Sequence, residues 1–226
     1  MTNLQIQPIH LGMVNCYLIK GQGCILVDTG LPGRMKTFLK TLMSKDTSPK
    51  EIDLIVLTHG HFDHVGLARD IKVLSGAKLV IHEREASWLE NGISPIPPGT
   101  TCWGKVLSTI GKLIPSVKVP SIQADLLIRD DGMSLQPYGV PGEIIHTPGH
   151  TMGSISILLE SGDAFVGDLA MNARAMRLTP GIPIFAEELS LVFKSWSKLL
   201  DLGAKRIFPA HGEPFSADVL RKNLLS

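Results

Sequence analysis

One short apolar segment of this 226-residue chain is followed at once by a cluster of metal-competent side chains. The run from Ile52 to Leu57 predicts a buried strand, and the next seven residues read Thr-His-Gly-His-Phe-Asp-His, ending at His64. Two histidines two residues apart on an extended segment project the same way and can bind one ion. The aspartate and the last histidine follow where the chain turns, and they can face a second ion. Because divalent metals such as zinc prefer imidazole and carboxylate ligands, the segment predicts a metal-binding loop.

Three later segments each end a strand-like run with another metal-competent residue. His150 lies in a Pro-Gly turn, Asp168 ends an apolar run, and His211 follows a further apolar run. An apolar strand, a Gly or Pro and then a ligand is how a sheet edge presents side chains to one point. Five of the eight histidines are thereby assigned to one site. The other three, His10, His82 and His146, stay unassigned, because a structural imidazole is more common than an extra ligand.

Together these motifs resemble the metallo-β-lactamase superfamily, whose pattern is H-x-H-x-D-H followed by a His, an Asp or Cys, and a His. The resemblance covers nearly the whole chain, and Val27-Asp28-Thr29-Gly30 matches a further element of the family. It implies an α/β fold of the αββα four-layer sandwich type, with two stacked mixed sheets and helices outside. It also assigns seven ligands to two ions: His59, His61 and His150 to the first, Asp63, His64 and His211 to the second, with Asp168 bridging both.

Strand-like and helix-like runs alternate through two similar halves of the chain. The first half reads as a hairpin, a helix, the strand before the metal loop, a second helix near 65–74 and a further strand. The second half begins near Ala124 and contains strands, a helix near 187–202 and a last strand before His211. This alternation suits two stacked sheets with helices outside. Because no linker or low-complexity segment interrupts it, we expect a single domain over residues 1–226.

Between the halves, residues 84–121 are rich in Pro and Gly and are expected to form an insert or lid near the active site. The run 103–114 predicts a helix. Its apolar face comprises Trp103, Val106, Leu107 and Ile110. One interpretation is an apolar lid in which Trp103 contacts the substrate, and the other is a surface helix packed on a sheet. The sequence leaves both interpretations open.

Two bound divalent ions would make hydroxide available at neutral pH, because a bound ion lowers the pKa of water from 15.7 to about 7. The expected catalytic step is attack on an acyl carbon by a metal-bridging hydroxide that Asp63 orients. Zinc is favoured, with manganese or iron as alternatives, because His and Asp bind all three metals. Asp28 and the hydroxyls of Thr58 and Thr151 are expected to support the ligand residues from outside the metal site.

The expected function is that of a dinuclear metal-dependent hydrolase of an ester, thioester or lactone. This corresponds to the glyoxalase II-like or lactonase-like branch, without the helical domain that binds glutathione. Asp168 stands where the zinc β-lactamases carry Cys, which argues against a dedicated antibiotic-destroying enzyme. The alternatives are a mononuclear iron oxidoreductase resembling persulfide dioxygenase, and a metal-dependent phosphodiesterase or nuclease. Metal content separates the dinuclear hydrolase from the mononuclear iron oxidoreductase, because the first holds two zinc or manganese ions per chain and the second holds one iron.

The loop after Asp168 carries Arg174 and Arg177 among methionines, which makes both arginines candidate substrate-binding residues. Their guanidinium groups could hold a substrate carboxylate or phosphate. The alternative, which the sequence favours, is that both face solvent or pair with Glu187 or Glu188.

Composition argues against several other classes of protein. The net charge is +1, and the lysines and arginines are no more clustered than on an ordinary solvent-exposed surface. The sequence therefore gives no support for a nucleic-acid partner. No apolar run approaches the ~20 residues of a membrane span, and the N-terminus lacks a secretion signal. We therefore expect a cytoplasmic enzyme for a small-molecule substrate, and leave a homo-oligomer open. The three cysteines are expected to be reduced, with Cys102 as a packing residue.

Overall fold

Residues 4–113, 117–172 and 181–225 are described by the computed structural model, and two six-stranded sheets lie at its centre. The strands of the first sheet are neighbours in chain order. They are β1 (Gln5–His10), β2 (Asn15–Lys20), β3 (Cys24–Val27), β4 (Leu54–Val56), β5 (Lys78–His82) and β6 (Leu126–Ile128). Strands β1 to β3 pair antiparallel, whereas β3 to β6 pair parallel. The first sheet is therefore mixed.

The second sheet has the reverse order, from the last strand of the chain to the seventh. Its strands are β7 (Met133–Ser134), β8 (Gly142–His146), β9 (Ile155–Leu159), β10 (Asp163–Gly167), β11 (Arg206–Pro209) and β12 (Phe215–Ser216). Strands β10 and β11 pair parallel, and the other neighbours pair antiparallel. This sheet is also mixed.

Seven α-helices occur in the described residues. They are α1 (Met35–Ser44), α2 (Phe62–Val65), α3 (Ala68–Ser75), α4 (Ala86–Asn91), α5 (Cys102–Leu113), α6 (Leu189–Asp201) and α7 (Asp218–Leu225). Helices α1 and α3 pack on the outer face of the first sheet, and α6 and α7 pack on the outer face of the second. None of these helices has the length and apolar content needed to cross a bilayer.

Alternation of side chains along each strand produces the layers. In β4, Leu54 and Val56 pack between the sheets, whereas Ile55 faces the helices. Ile155 and Phe165 belong to the same inter-sheet core, and Trp196 of α6 belongs to the outer core of the second sheet. Strands buried on both faces read as continuous apolar runs, which explains the strand pattern in the sequence. These layers confirm the predicted αββα sandwich.

The helix predicted near 65–74 corresponds to α3, and a close approach of the backbone at Gly66 separates it from the short helix α2 before it. The Gly66 amide donates to the Gly30 carbonyl at 2.9 Å. A Cβ at Gly66 would lie 2.3 Å from the backbone nitrogen of Pro32, so only glycine fits there. This contact positions the turn that carries Asp63 and His64.

Gly66→Ala is expected to lower the free energy of unfolding by about 3 kcal/mol, because the added methyl meets backbone atoms that cannot move aside. Gly76→Ala is the control, since a Cβ there meets no atom within 4 Å and is opposed only by a φ of 79°. We expect the control to cost about 1–2 kcal/mol. Urea unfolding of both variants measures the difference, and equal losses would contradict this account.

The three cysteines are all free thiols, as predicted. Cys16 and Cys24 are buried in β2 and β3, and burial raises the pKa of both. Cys102 is exposed at the start of α5, so its predicted role as a packing residue is wrong. The first turn of α5 presents this side chain to solvent.

Candidate metal centre

Four loops carry the seven predicted ligands, and each begins where a strand ends. β4 leads into residues 58–64, here called the first ligand loop, and β8 leads into residues 147–154, the second ligand loop. β10 and β11 lead to Asp168 and His211. These loops meet at one edge of the sandwich, where the seven side chains converge in overlapping three-residue groups.

His59, His61 and His150 form the first group, in which three ring nitrogens face one another. Nε2 of His150 lies 3.1 Å from Nε2 of His59 and 3.0 Å from Nδ1 of His61. Tetrahedral zinc holds two imidazole nitrogens about 3.3 Å apart, given its bond lengths of about 2.0–2.1 Å. Burial lowers the pKa of all three rings, that of His61 to about 3. The rings are therefore neutral at pH 7, which is the form that binds metal.

Asp63, His64 and His211 form the second group, and Asp168 lies between the two groups. Nε2 of His211 is 3.4 Å from Asp63 Oδ2 and 3.4 Å from Asp168 Oδ1. The same oxygen of Asp168 is 3.4 Å from Nε2 of His64, and its other oxygen is 3.7 Å from Nε2 of His150. The carboxylate of Asp168 thus lies within 4 Å of imidazoles from both groups, which suits a bridging ligand.

Two atoms between the second group and Asp168 are unsatisfied. His64 Nε2 and Asp168 Oδ1 are buried without a hydrogen-bond partner. An unpaired buried polar atom costs about 1–3 kcal/mol, and a cation between the two would satisfy both. The pKa shifts of two rings agree with this. Burial alone would lower the pKa of His64 and His211, but the nearby carboxylates have the larger effect. They raise the pKa of His211 to about 10 and that of His64 well above its usual range. The carboxylates favour positive charge here, so the residues present fit divalent cations.

Hydrogen bonds on the far side of three imidazoles aim their Nε2 atoms at the centre. In each ring Nδ1 donates to a fixed oxygen, so any proton that a metal would displace is the one on Nε2, and the Nε2 lone pair would then face the metal. The acceptors are Asp28 Oδ2 for His64 at 2.8 Å, the Phe185 carbonyl for His150 at 2.9 Å and the Met13 carbonyl for His211 at 2.9 Å. The two carbonyl acceptors were not predicted from the sequence.

Asp28 holds the first ligand loop at both of its ends. It has a φ of 59°, which lets its carboxylate face the loop. The Thr58 amide donates to Oδ1 at 2.8 Å, and the Thr58 hydroxyl donates to Oδ2 at 2.8 Å. The imidazole of His64 donates to the same carboxylate. Asp28 and Thr58 therefore contact the first ligand loop on the side away from the cavity, and their support of the proposed ligands stays a prediction.

Glu85 is a buried carboxylate that the sequence analysis missed. The Gly60 amide and the Thr151 hydroxyl both donate to it, and Glu85 is 1% exposed. Burial raises its pKa to about 7, although these hydrogen bonds oppose the shift. Thr151 is expected to support the ligands. Because its hydroxyl donates to Glu85, the same oxygen accepts the hydrogen bond from the Ser154 hydroxyl at 2.8 Å. The available signal for Glu85 was its position just after β5, at the edge where the ligand loops begin.

A cavity of about 290 Å³ opens onto the converging side chains. Asp63 and His211 are among the residues that line it, and most of its surface is apolar. Residues 84–121 contribute the segment 95–97 and Leu107 to its walls. This part of the chain therefore borders the space in which a small molecule could meet the metal-competent residues.

Of the three predicted substrate-binding residues, Trp103 lies in the described part of the chain, and it does not line this cavity. Trp103 is 54% exposed on the outer side of α5, so the structure lends no support to its predicted substrate contact. The reason is that α5 packs through small residues: a Cβ at Gly104 would lie 2.2 Å from the Ile184 carbonyl oxygen. The apolar face predicted from the sequence is therefore not the face through which α5 packs most closely. Arg174 and Arg177 fall outside the described residues, so their substrate contact stays a prediction.

His82, Asp130 and His146 form a further group of metal-competent residues away from the cavity. The two imidazole rings stack with centroids 4.3 Å apart and planes 18° apart, and Arg84 pairs with Asp130 at 2.7 Å. Nearly parallel rings do not direct their lone pairs at one point, and the guanidinium already neutralises the carboxylate. We therefore interpret this group as a structural ion-pair cluster.

Sequence comparisons place the chain in one superfamily. The sequence model of the metallo-beta-lactamase superfamily matches residues 10–211. A probable metallo-hydrolase of Methanocaldococcus jannaschii is 33% identical over 147 residues, which are 65% of this chain and 63% of that protein. A beta-lactamase-like protein 2 homolog of Drosophila melanogaster is 29% identical over 204 residues, which are 88% of this chain and 58% of that protein. The chain thus spans less than two thirds of the length of both relatives.

The fold also matches solved structures. The crystal structure of BLEG-1, a B3 metallo-beta-lactamase, superposes with a TM-score of 0.74 at 19% identity. The superposition covers 98% of this chain and 100% of that one. At this identity the match establishes the likeness of the fold alone.

Proposed function

Because the chain belongs to the metallo-beta-lactamase superfamily, we propose that it is a metal-dependent hydrolase that cleaves an ester, thioester or lactone of a small molecule. The main support is the convergence of two ligand groups on one apolar cavity. We propose zinc as the metal, because buried imidazoles and carboxylates at these separations suit it. The proposed ligands are His59, His61 and His150 for one ion and Asp63, His64 and His211 for the other, with Asp168 shared.

Divalent ions at this site supply Lewis acidity and lower the pKa of water from 15.7 to about 7 when bound. The chain's own residues then position the reactants. Asp63 lines the cavity with an 18% exposed side chain, so its carboxylate can accept a hydrogen bond from the attacking water and orient it. Asp28 and the carbonyl of Phe185 keep the ligand rings fixed while this occurs. The apolar walls exclude competing water from the acyl group.

The cavity favours an uncharged acyl group over a phosphodiester. Among the residues that the structure describes, no lysine or arginine lines it, so no cation there would pair with a phosphate. Its volume of about 290 Å³ is at the lower end for a ligand pocket, which suits a small substrate. The alternative of a single-iron dioxygenase would leave the second group without a role, and its buried unsatisfied atoms support a second ion.

Metal analysis combined with a substrate panel tests this proposal. Protein purified without added metal would be assayed for zinc, manganese and iron, then offered esters, thioesters, lactones and phosphodiesters. We expect two zinc ions in the centre and turnover of acyl substrates. A single iron with oxygen consumption, or cleavage of phosphodiesters alone, would overturn the proposal.

Leu107→Ala is expected to raise KM for substrates with apolar acyl chains by about 5- to 50-fold, because it removes several buried carbons from the cavity wall. We expect kcat to change little, since this wall binds ground state and transition state alike. Trp103→Ala on the same helix is the control and should leave KM unchanged, because Trp103 faces outward. Steady-state kinetics on both variants decides the question. A larger effect at Trp103 than at Leu107 would contradict the assigned helix face.

A further inference from the structure

Residues 85–94 contact the first ligand loop at three successive positions. The contacts use different chemistry: a buried carboxylate, an indole ring and a hydroxyl. They are Glu85 with the Gly60 amide, Trp88 with the His61 ring at 6.4 Å between centroids and 12° between planes, and Ser94 Oγ with the Phe62 amide at 2.8 Å. This segment therefore supports the part of the loop that carries His61 and leads to Asp63.

Glu85 also reaches the second ligand loop, so one side chain joins both. The Thr151 hydroxyl donates to its carboxylate, next to the ligand His150. Both loops carry a glycine where the Glu85 side chain passes. A Cβ at Gly60 would lie 3.0 Å from Glu85 Oε2, and a Cβ at Gly153 would lie 2.6 Å from Glu85 Cγ. A larger residue than glycine at either position would therefore crowd the Glu85 side chain.

The two hydrogen bonds to Glu85 connect the loops that carry His61 and His150. His61 and His150 lie on different loops, one from each sheet, and their ring nitrogens must come together for the first group to form. We propose that Glu85 is a positioning residue that orders both ligand loops before metal binds, and that zinc affinity depends on it. The second part rests on the proposed function, whereas the first concerns the chain alone.

The physical basis is preorganisation. A metal that binds two disordered loops must also order them, and this cost reduces its affinity. Hydrogen bonds to groups behind the ligands reduce that cost, and their removal weakens metal binding by about 10- to 100-fold in well-studied sites. The Gly60 amide is buried, so Glu85 also provides its hydrogen-bond acceptor. Loss of that acceptor would favour conformations in which the loop opens to water.

Amide hydrogen exchange of the metal-free chain tests the ordering. Glu85→Gln keeps the shape of the side chain but replaces one acceptor oxygen with an NH2 donor. We expect exchange in residues 58–64 and 147–154 to become about tenfold faster, with the strands of both sheets unchanged. Glu83→Gln is the matched control: it lies in the same turn, but its carboxylate is exposed and pairs with Arg129 at 3.4 Å. Unchanged exchange in the two loops, or an equal increase throughout the sheets, would overturn the proposal.

Zinc affinity, measured by competition with a chelator, tests the coupling. We expect Glu85→Gln to bind zinc about 10- to 100-fold more weakly than the wild type, and Glu83→Gln to bind it normally. Equal affinities of the two variants would overturn the dependence of zinc affinity on Glu85. A wild-type chain that binds no zinc would overturn the proposed function instead, and the exchange data would still decide whether Glu85 orders the loops.

Discussion

Asp168→Ala is expected to bind one metal ion fewer than the wild-type chain and to lose kcat/KM by at least about 10²–10³-fold. Asp168 is the one carboxylate among the described ligands that lies near imidazoles of both groups, at 3.4 Å from His64 and His211 and 3.7 Å from His150. Its removal brings two cations together with less negative charge between them. One ion should then be lost, along with the electrostatic stabilisation that it provides.

Asp163→Ala is the control for this change. Asp163 begins the strand that Asp168 follows, and its 15% exposed side chain pairs at 2.9 Å with that of Arg206, which is 55% exposed. Exposed ion pairs contribute about 0–1 kcal/mol, so this variant should keep both ions and normal turnover. Elemental analysis and steady-state kinetics measure both properties. Two ions and normal turnover in Asp168→Ala would refute the dinuclear mechanism.

Asp28→Asn is expected to weaken binding of the ion held by Asp63, His64 and His211 by about 10- to 100-fold. The amide can still accept from the Thr58 backbone, but its NH2 group would face Nδ1 of His64. That arrangement favours the tautomer with the proton on Nε2, which blocks the lone pair needed by the metal. Activity at limiting zinc should fall in the same proportion.

Asp46→Asn provides a matched control for Asp28→Asn. Asp46 also has a positive φ, 49°, but it is exposed, and it follows the end of α1, where its amide donates to the Met43 carbonyl. Asparagine tolerates this backbone conformation, so neither variant should be strained. A zinc titration of both proteins tests the prediction. Normal zinc affinity in Asp28→Asn would show that His64 is oriented by other contacts.

Much of the fold was predictable from local patterns. Central strands such as β4 are continuous apolar runs because helices cover one face and the other sheet covers the second. The strands that were not predicted, β1, β7 and β12, lie at the edges of the two sheets. β1 contains Pro8 and polar residues, which an edge strand tolerates, and β7 and β12 have only two residues each. Their pairing depends on neighbours that are distant in the chain.

The proposed ligands of the site are easier to recognise in the sequence than the groups that contact them from behind. His59, His61 and His64 lie in one short motif, and the remaining ligands follow apolar strands, so local sequence carries the signal. The acceptors of His150 and His211 are backbone carbonyls, at Phe185 and Met13, and any residue type could provide them. Only the folded chain brings these groups together.

Helix α5 shows the limit of periodicity as a guide. Its apolar residues predicted the packed face, but the close approach of the backbone at Gly104 selects a face of small side chains. Leu107 then lines the cavity, while Trp103 faces outward. A pattern of hydrophobicity does not encode how near a helix comes to its neighbour, and that distance decides which face is buried.

The central claim is that two metal ions lie between the two ligand groups, and anomalous diffraction at the zinc edge tests it most directly. Crystals of the zinc-loaded chain should give two peaks about 3.5–4 Å apart in this centre, the spacing of two-metal sites. One peak should lie about 2.0–2.1 Å from the ring nitrogens of His59, His61 and His150, and the other about 2.0–2.2 Å from Asp63, His64 and His211. A single peak in the centre, or two peaks that any of these six side chains faces away from, would contradict the account.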